Sequence, residues 1–326
     1  MRVFLTGASG AIGIRLVPQL IDRGHEVIGA STSPGGAERV RVLGAEAIEL
    51  DLLDPAAVRE AVRHAKPDAI AHEATALANV RFSRNLDKGL AATNRLRTEG
   101  TDALLRAARE MNVPRFVAQS FAAMRYARTG GPVKTEDDPL DTTPLQGMRD
   151  TVAALSHLER AVTAAGGIVL RYGGFYGAGN DGLVEPVRKR QFPIAGEGGG
   201  VFTFVHLDDA AAATVLALEH DGPAIYNVAD DDPAPVREWL PELARALGAK
   251  PPRRVPVWFA RLLAGEIAVM LGTEARGVSS EKAKRELGWT LRHPTWRRGF
   301  AAVYGSSTTS PASPLPSLAP SGGGGA

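Results

Sequence analysis

Arg2-Val3-Phe4-Leu5-Thr6-Gly7-Ala8-Ser9-Gly10-Ala11-Ile12-Gly13 stands almost at the start of the chain and decides how the rest is read. Its first residues, 2–5, form an apolar run that reads as a buried strand. Beyond the glycines, Leu16, Val17, Leu20 and Ile21 share one helical face, and Gly24 closes the run. Strand, glycine turn and helix together give each glycine a task. Gly7 permits the tight turn, Gly10 lets a pyrophosphate approach the backbone, and Gly13 lets the helix pack against the strand. The N–H groups that open the helix have no partners within it and face the phosphates. Gly7, Ser9, Gly10, Ala11, Ile12 and Gly13 are therefore expected to hold a dinucleotide. The alternative is a structural turn in an α/β domain that binds no nucleotide.

Working outward, strand-like and helix-like segments alternate, which predicts a parallel sheet covered on both faces. Strands are expected at 26–30, 45–50, 68–71, 115–118 and 168–170, and helices at 55–65, 93–111 and 151–165. Pro18 should bend the first helix. The second half is less regular. Strands are expected at 202–205 and 225–229, with helices at 208–219, 236–247 and 280–287; the apolar run 267–271 reads as a short buried or groove-lining segment. The fold class is α/β, a Rossmann-type doubly wound parallel sheet with a smaller C-terminal substrate-binding region. The expected division is 1–172 for the dinucleotide domain and 173–304 for the substrate region, some segments of which return to the sheet. Residues 305–326 are Ser, Thr, Pro and Gly-rich and are expected to be a disordered tail.

With 326 residues, the chain can bury a large core. Its formal net charge of +2 demands neither a nucleic acid nor a membrane surface as partner. There is no cysteine, which excludes disulfides, thiolate catalysis and cysteine-bound metals. The glycine loop stands where the apolar core of a leader would be, so no leader and a cytoplasmic location are expected. No apolar run is long enough to span a bilayer. His206, Asp208 and Asp209 read as the foot of a helix, with an aspartate as its N-cap, and no metal is expected.

These residues resemble the extended short-chain dehydrogenase/reductases, the NAD-dependent epimerase/dehydratase group, from Arg2 to about Tyr304. The glycine loop matches that family's T-G-x-x-G-x-x-G. Asp51-Leu52 resembles its acidic-apolar pair, which meets the adenine. His72-Glu73-Ala74-Thr75-Ala76 resembles its His-Leu-Ala-Ala turn along the cofactor, so Ala74, Thr75 and Ala76 are carried over as cofactor contacts. Asn94 resembles its helix asparagine. Leu170-Arg171-Tyr172, Tyr176-Gly177, Phe204-Val205-His206-Leu207-Asp208-Asp209, Tyr226-Asn227-Val228 and Leu287-Gly288-Trp289 are also similar to family segments, although Tyr172 stands where the family has proline.

The family implies an NAD(P)-dependent enzyme whose tyrosine and lysine, one helical turn apart, manage a proton while hydride moves. Here the chain departs from it. Counting back from Glu159 places Thr151 and Leu155 at those positions, and residues 140–165 contain neither tyrosine nor lysine. Ser120, at a strand end, and Tyr126, shortly after it, are the candidate catalytic residues; Tyr172 and Tyr176 are further phenols. At the end of the second strand, Ser31 and Thr32 offer hydroxyls where NAD-specific proteins carry an acid, and Arg15 or Arg39 is placed to meet a 2′-phosphate. The cofactor reading is therefore NADP, with NAD as the alternative. Two functions follow: a reductase or epimerase acting on a carbonyl or hydroxyl of a small molecule, or a non-catalytic dinucleotide-binding sensor or partner protein. A homodimer is left open.

Overall fold

The computed structural model describes residues 1–77, 84–177 and 182–305. Its centre is a seven-stranded parallel sheet. β1 (Arg2–Thr6) lies between β2 (Glu26–Ser31) and β4 (Ala69–His72). β3 (Glu46–Glu49) pairs with β2, and β5 (Arg115–Phe121) with β4. The short strand β6 (Val133–Lys134) stands apart and pairs with Gly277–Val278. β7 (Ile168–Tyr172) then joins β5, and the strand Ala224–Val228 completes the far edge. The order reverses beside β1, which opens a crevice at the strands' carboxyl ends.

Strand alternation divides the core into two layers. Val3, Leu5, Ala69, Ala71 and Leu170 face α1 (Gly13–Asp22) and the helix Leu207–Leu218. Phe4, Ile70, Phe116, Ala118 and Val169 face the opposite way. There they meet α3 (Pro55–Ala65), α5 (Thr101–Glu110) and α6 (Arg149–Ala164) through Val58, Val62, Leu104, Leu158 and Val162. Each such aliphatic side chain stabilises the fold by about 1.5–3 kcal/mol through burial.

Several segments differ from their sequence reading. The helix at 93–111 is longer and interrupted. α4 (Leu86–Arg95), capped by Asn85, runs into a π turn at Leu96–Gly100 and then into α5. A helix at Pro34–Val42, α2, follows β2 where no element was expected. The segment 267–271 belongs to a helix assigned to Val257–Glu274 and kinked at Gly265, whose φ is +86°. The strand at 202–205 is two short strands, Val201–Phe202 and Phe204–His206.

The second half builds its own aromatic core from Tyr176, Phe204, Trp239, Trp296 and Phe300. Gly299 is required there: a Cβ on it would lie 2.2 Å from the Tyr176 hydroxyl oxygen. The helix Leu207–Leu218, between these short strands and Ala224–Val228, packs on α1. Among the described residues, no helix is long and apolar enough to cross a membrane. The expected tail lies outside the described residues, apart from Gly305.

Candidate active site

The glycine loop is built for a close neighbour. Gly7 has φ +75°, and a Cβ there would lie 2.6 Å from the carbonyl oxygen of Glu73. A Cβ on Gly13 would lie 2.4 Å from the carbonyl oxygens of Gly7 and Ala8. On Gly10 it would meet only the Gly7 carbonyl, at 3.1 Å, so this position borders open space. The Gly10 N–H donates to Gly7, and that of Ile14 to Gly10. Among the described residues, no acceptor takes the N–H groups of Ala11, Ile12 and Gly13, and Ile12 provides no side-chain cap. Free amides at a helix start beside a small-residue cradle fit a pyrophosphate.

On the β2 side, the Ser9 and Ser31 hydroxyls are hydrogen-bonded at 2.9 Å. Ser31 is buried against the first turn of α2, and Thr32 is exposed. Ser33 caps α2, whose first turn carries no acid. Arg15 is turned elsewhere: its Nε lies 3.0 Å from Asp208 Oδ1 and its Nη1 donates to the Ala11 carbonyl. Asp51 is exposed and its carboxylate accepts from Leu53 N, while Leu52 is buried beside Gly100. Ala74 and Thr75 are half-buried after β4, and Ala76 N donates to Thr93.

At the carboxyl ends of β5 and β7, Ser120 and Tyr126 enter one buried network. Ser120 Oγ donates to Glu159 Oε1 at 2.7 Å. Arg125 and Arg171 both bind Glu159, with closest approaches of 2.8 Å and 2.7 Å. Burial alone would raise the Glu159 carboxyl. Hydrogen bonds and charges from Arg171 and Arg125 outweigh it and hold the group below the usual glutamate range. Arg171 also donates to the Tyr126 hydroxyl, which donates to Asn227 at 2.8 Å. Burial raises the Tyr126 phenol. Arg97, in the π turn, is buried, with Nε and Nη1 unpartnered, and burial lowers its guanidinium to about 10.

In α6, Thr151 is locked. Its hydroxyl donates to Asp87 and accepts from Asn94. Leu155 is fully buried. Tyr172 bonds Thr214 and Glu73, and burial raises it far above the ordinary phenol range. Tyr176 packs against Phe300 and His206, and burial raises it as well.

The reading of the helix foot needs correction. His206 itself caps the helix Leu207–Leu218, accepting from Asp208 N, because its Nδ1 reaches the free amide. Asp209 instead accepts from the amides of Arg292 and His293. Ligand atoms of His206, Asp208 and His293 lie within 4.8 Å of one another. The two imidazoles are stacked, His206 Nδ1 accepts from Asp208 N, and the Asp208 carboxylate is paired with Arg15.

Sequence reading missed the Arg125–Glu159–Arg171 knot, the buried Arg97 and the setting of Glu73. Only Glu73 carried a local signal, an acid where the resembling turn has leucine.

The NAD-dependent epimerase/dehydratase family model matches residues 3–229. The chain is 42% identical over 312 residues to the 3-diazoavenalumate denitrifying reductase of a Streptomyces species, covering 92% of this chain and 99% of that protein. It is 28% identical over 332 residues to the 4-hydroxy-2-methyl-3-oxo-4-farnesyl-3,4-dihydroquinoline-1-oxide ketoreductase of Stigmatella aurantiaca, covering 93% and 96%. The Thermus thermophilus UDP-glucose 4-epimerase complexed with NAD superposes with a TM-score of 0.71 at 25% identity, covering 93% and 98%. With its Rossmann-type sheet and glycine cradle, the chain belongs to the NAD-dependent epimerase/dehydratase family of enzymes.

Proposed function

We propose that this protein is an NADPH-dependent reductase that delivers hydride to a small electrophile requiring no proton from the enzyme, and that this electrophile is an arenediazonium group. The carrying observation is that α6 contains neither tyrosine nor lysine, with Thr151 committed to Asp87 and Asn94. The phenols nearby do not replace them. Tyr126, Tyr172 and Tyr176 are buried, and burial weakens each as an acid. A carbonyl gains hydride and proton together, so this arrangement suits it poorly. A diazonium carbon gains hydride alone: its C–H bond forms, its C–N bond breaks with the electron pair leaving on N2, and charge balances. The 42% identical relative, named for denitrifying a diazo compound, supports this substrate class.

When bound, reduced nicotinamide supplies the hydride. Gly7, Gly10, Gly13 and the free amides of Ala11 and Ile12 would hold its pyrophosphate, with Asp51 and Leu52 toward the adenine and Ala74, Thr75 and Ala76 along the other half. Ser31, Thr32 and Ser33 present hydroxyls and no acid, which favours NADP over NAD. Ser120 and Tyr126 act here as positioning residues, since their hydroxyls are committed to Glu159 and Asn227. The apolar group of Leu86, Met148, Val152, Ile267 and Met270 offers a floor for an aromatic ring.

The test is NADPH consumption with a stable arenediazonium salt and with a panel of aldehydes and ketones, compared in one assay. Diazonium-dependent turnover with release of N2 is expected. Ketone turnover without diazonium turnover would overturn the reading.

A further inference from the structure

Glu73 follows β4 at the carboxyl edge of the sheet and is 5% exposed. Its backbone lies against the glycine loop at Gly7, and its carbonyl accepts from Gln119 Nε2 at 2.6 Å. Its side chain enters the layer beneath the sheet edge. Oε1 accepts from the Tyr172 hydroxyl at 3.3 Å and from Thr214 at 3.5 Å, and those two hydroxyls are 2.6 Å apart. Oε2 is buried with no partner. An ionised carboxylate so placed is costly, and among the described residues no cation is paired with it.

The groups facing it are few. β7 contributes Tyr172 and the helix Leu207–Leu218 contributes Thr214; these are the groups that act on the carboxyl, and Tyr172 alone of them titrates. β5 contributes the neutral Gln119. His72 turns to the other side of the sheet, toward Thr6 and Leu96. Burial pushes the Glu73 carboxyl up to about 8, so it is mostly protonated near neutral pH.

Position supplies the reason for such an acid. β2 and β3 lie on one side of the glycine loop, and β4, β5 and β7 on the other. Ser31 lies on the β2 side, the adenosine half of the cradle. Glu73 just after β4, Gln119 near the end of β5 and Tyr172 at the end of β7 lie on the opposite side, the nicotinamide half. That half changes charge in the reaction proposed above: the ring is neutral when reduced and positive when oxidised.

We propose that Glu73, enclosed between Tyr172 and Thr214 with its Oε2 unpartnered, is a proton-linked counter-charge to the oxidised nicotinamide. This inference rests on the dinucleotide reading of the cradle. Glu73 loses its proton to solvent when a cationic ring is bound and keeps it when a neutral ring is bound. The protein undergoes no redox change, and the proton is balanced by buffer. An orphaned Oε2 is then the acceptor side of a site completed by a cation rather than by a hydrogen-bond donor.

The experiment is calorimetric titration of the intact protein with NADP+ and with NADPH, near pH 7, in phosphate and in Tris buffers of different ionisation enthalpy. Wild type is expected to release close to one proton per NADP+ bound and none per NADPH. Raising pH toward 9 should tighten NADP+ binding about tenfold and leave NADPH binding level. Glu73→Gln should abolish both the proton release and the pH dependence, while retaining NADPH affinity. Tyr172→Phe, which keeps the acid, should retain the release. Wild type that binds both dinucleotides with no difference in proton release overturns the proposal. Release that persists in Glu73→Gln also overturns it. Wild type that binds neither dinucleotide overturns the cofactor reading itself, a failure distinct from the other two.

Discussion

Removing Glu159 should disable the fold before it touches any chemistry. The carboxylate is 4% exposed and joins three elements: α6, which carries it, β7 through Arg171, and the turn after β5 through Arg125. Glu159→Ala would leave two guanidinium groups, 1% and 3% exposed, without their anion, and Ser120 without its acceptor. Breaking a buried ion pair by removing one partner costs about 3–5 kcal/mol, because the remaining charge stays buried. Two cations share this anion, so the upper part of that range is expected. For a domain of ordinary stability, about 5–15 kcal/mol, the loss is a large fraction of the total. Urea denaturation should show a much lower midpoint with little change in slope. Glu159→Gln, which keeps an acceptor but no charge, should fall between wild type and alanine. Since the carboxyl is held below its usual range, its contribution is complete above that range and is lost as pH falls through its folded pKa. A loss under about 1 kcal/mol for Glu159→Ala would refute the view that this knot ties α6 to β7 and to the turn after β5.

Gly10→Val should abolish dinucleotide binding in a folded protein, because Gly10 borders open space, whereas Gly13→Ala should impair folding, as its Cβ would press on two carbonyls at 2.4 Å. Calorimetry and circular dichroism on both variants separate the two effects; unchanged binding by folded Gly10→Val would displace the cradle. NADPH should bind more tightly than NADH, and titrations giving the reverse order would reject the assignment at Ser31 and Thr32. Asp230 is 2% exposed, accepts from Trp296 N at 2.6 Å, and is pushed by burial up to about 8. Its raised folded pKa means that its contribution is present below the ordinary aspartate range and is lost as pH rises through about 8. Melting temperature should therefore fall from mildly acid pH up to about pH 8 and level off above it, and Asp230→Asn should flatten that fall; an unchanged slope would contradict the assignment.

Much of the sheet is legible in the sequence because its signals are local. β1, the glycine loop and α1 are read from a short apolar run, three glycines and a 3.6-residue face within the first residues of the chain. α2 escapes because Pro34, Gly35 and Gly36 are weak helix formers, whereas the structure uses Pro34 as the first helical residue after the Ser33 cap. The helix Val257–Glu274 escapes because Gly265 interrupts it and Trp258, Leu262 and Leu263 are exposed, which erases the one-sided pattern. The site is less legible than the fold. Glu73 meets partners 99 and 141 residues away, and Glu159 meets Ser120, Arg125 and Arg171 from 12 to 39 residues away. No spacing in the sequence announces such contacts. The absent tyrosine and lysine of α6 were legible, and they bear most directly on function.

The central claim is that hydride, unaccompanied by a proton from the enzyme, enters the substrate. Reduction of an arenediazonium salt by NADPH deuterated at both C4 positions, in ordinary water, tests it directly. The account predicts an arene carrying deuterium at the carbon that bore nitrogen, with one N2 released per NADPH consumed. Arene bearing solvent hydrogen at that carbon, or consumption of NADPH without loss of N2, would contradict it.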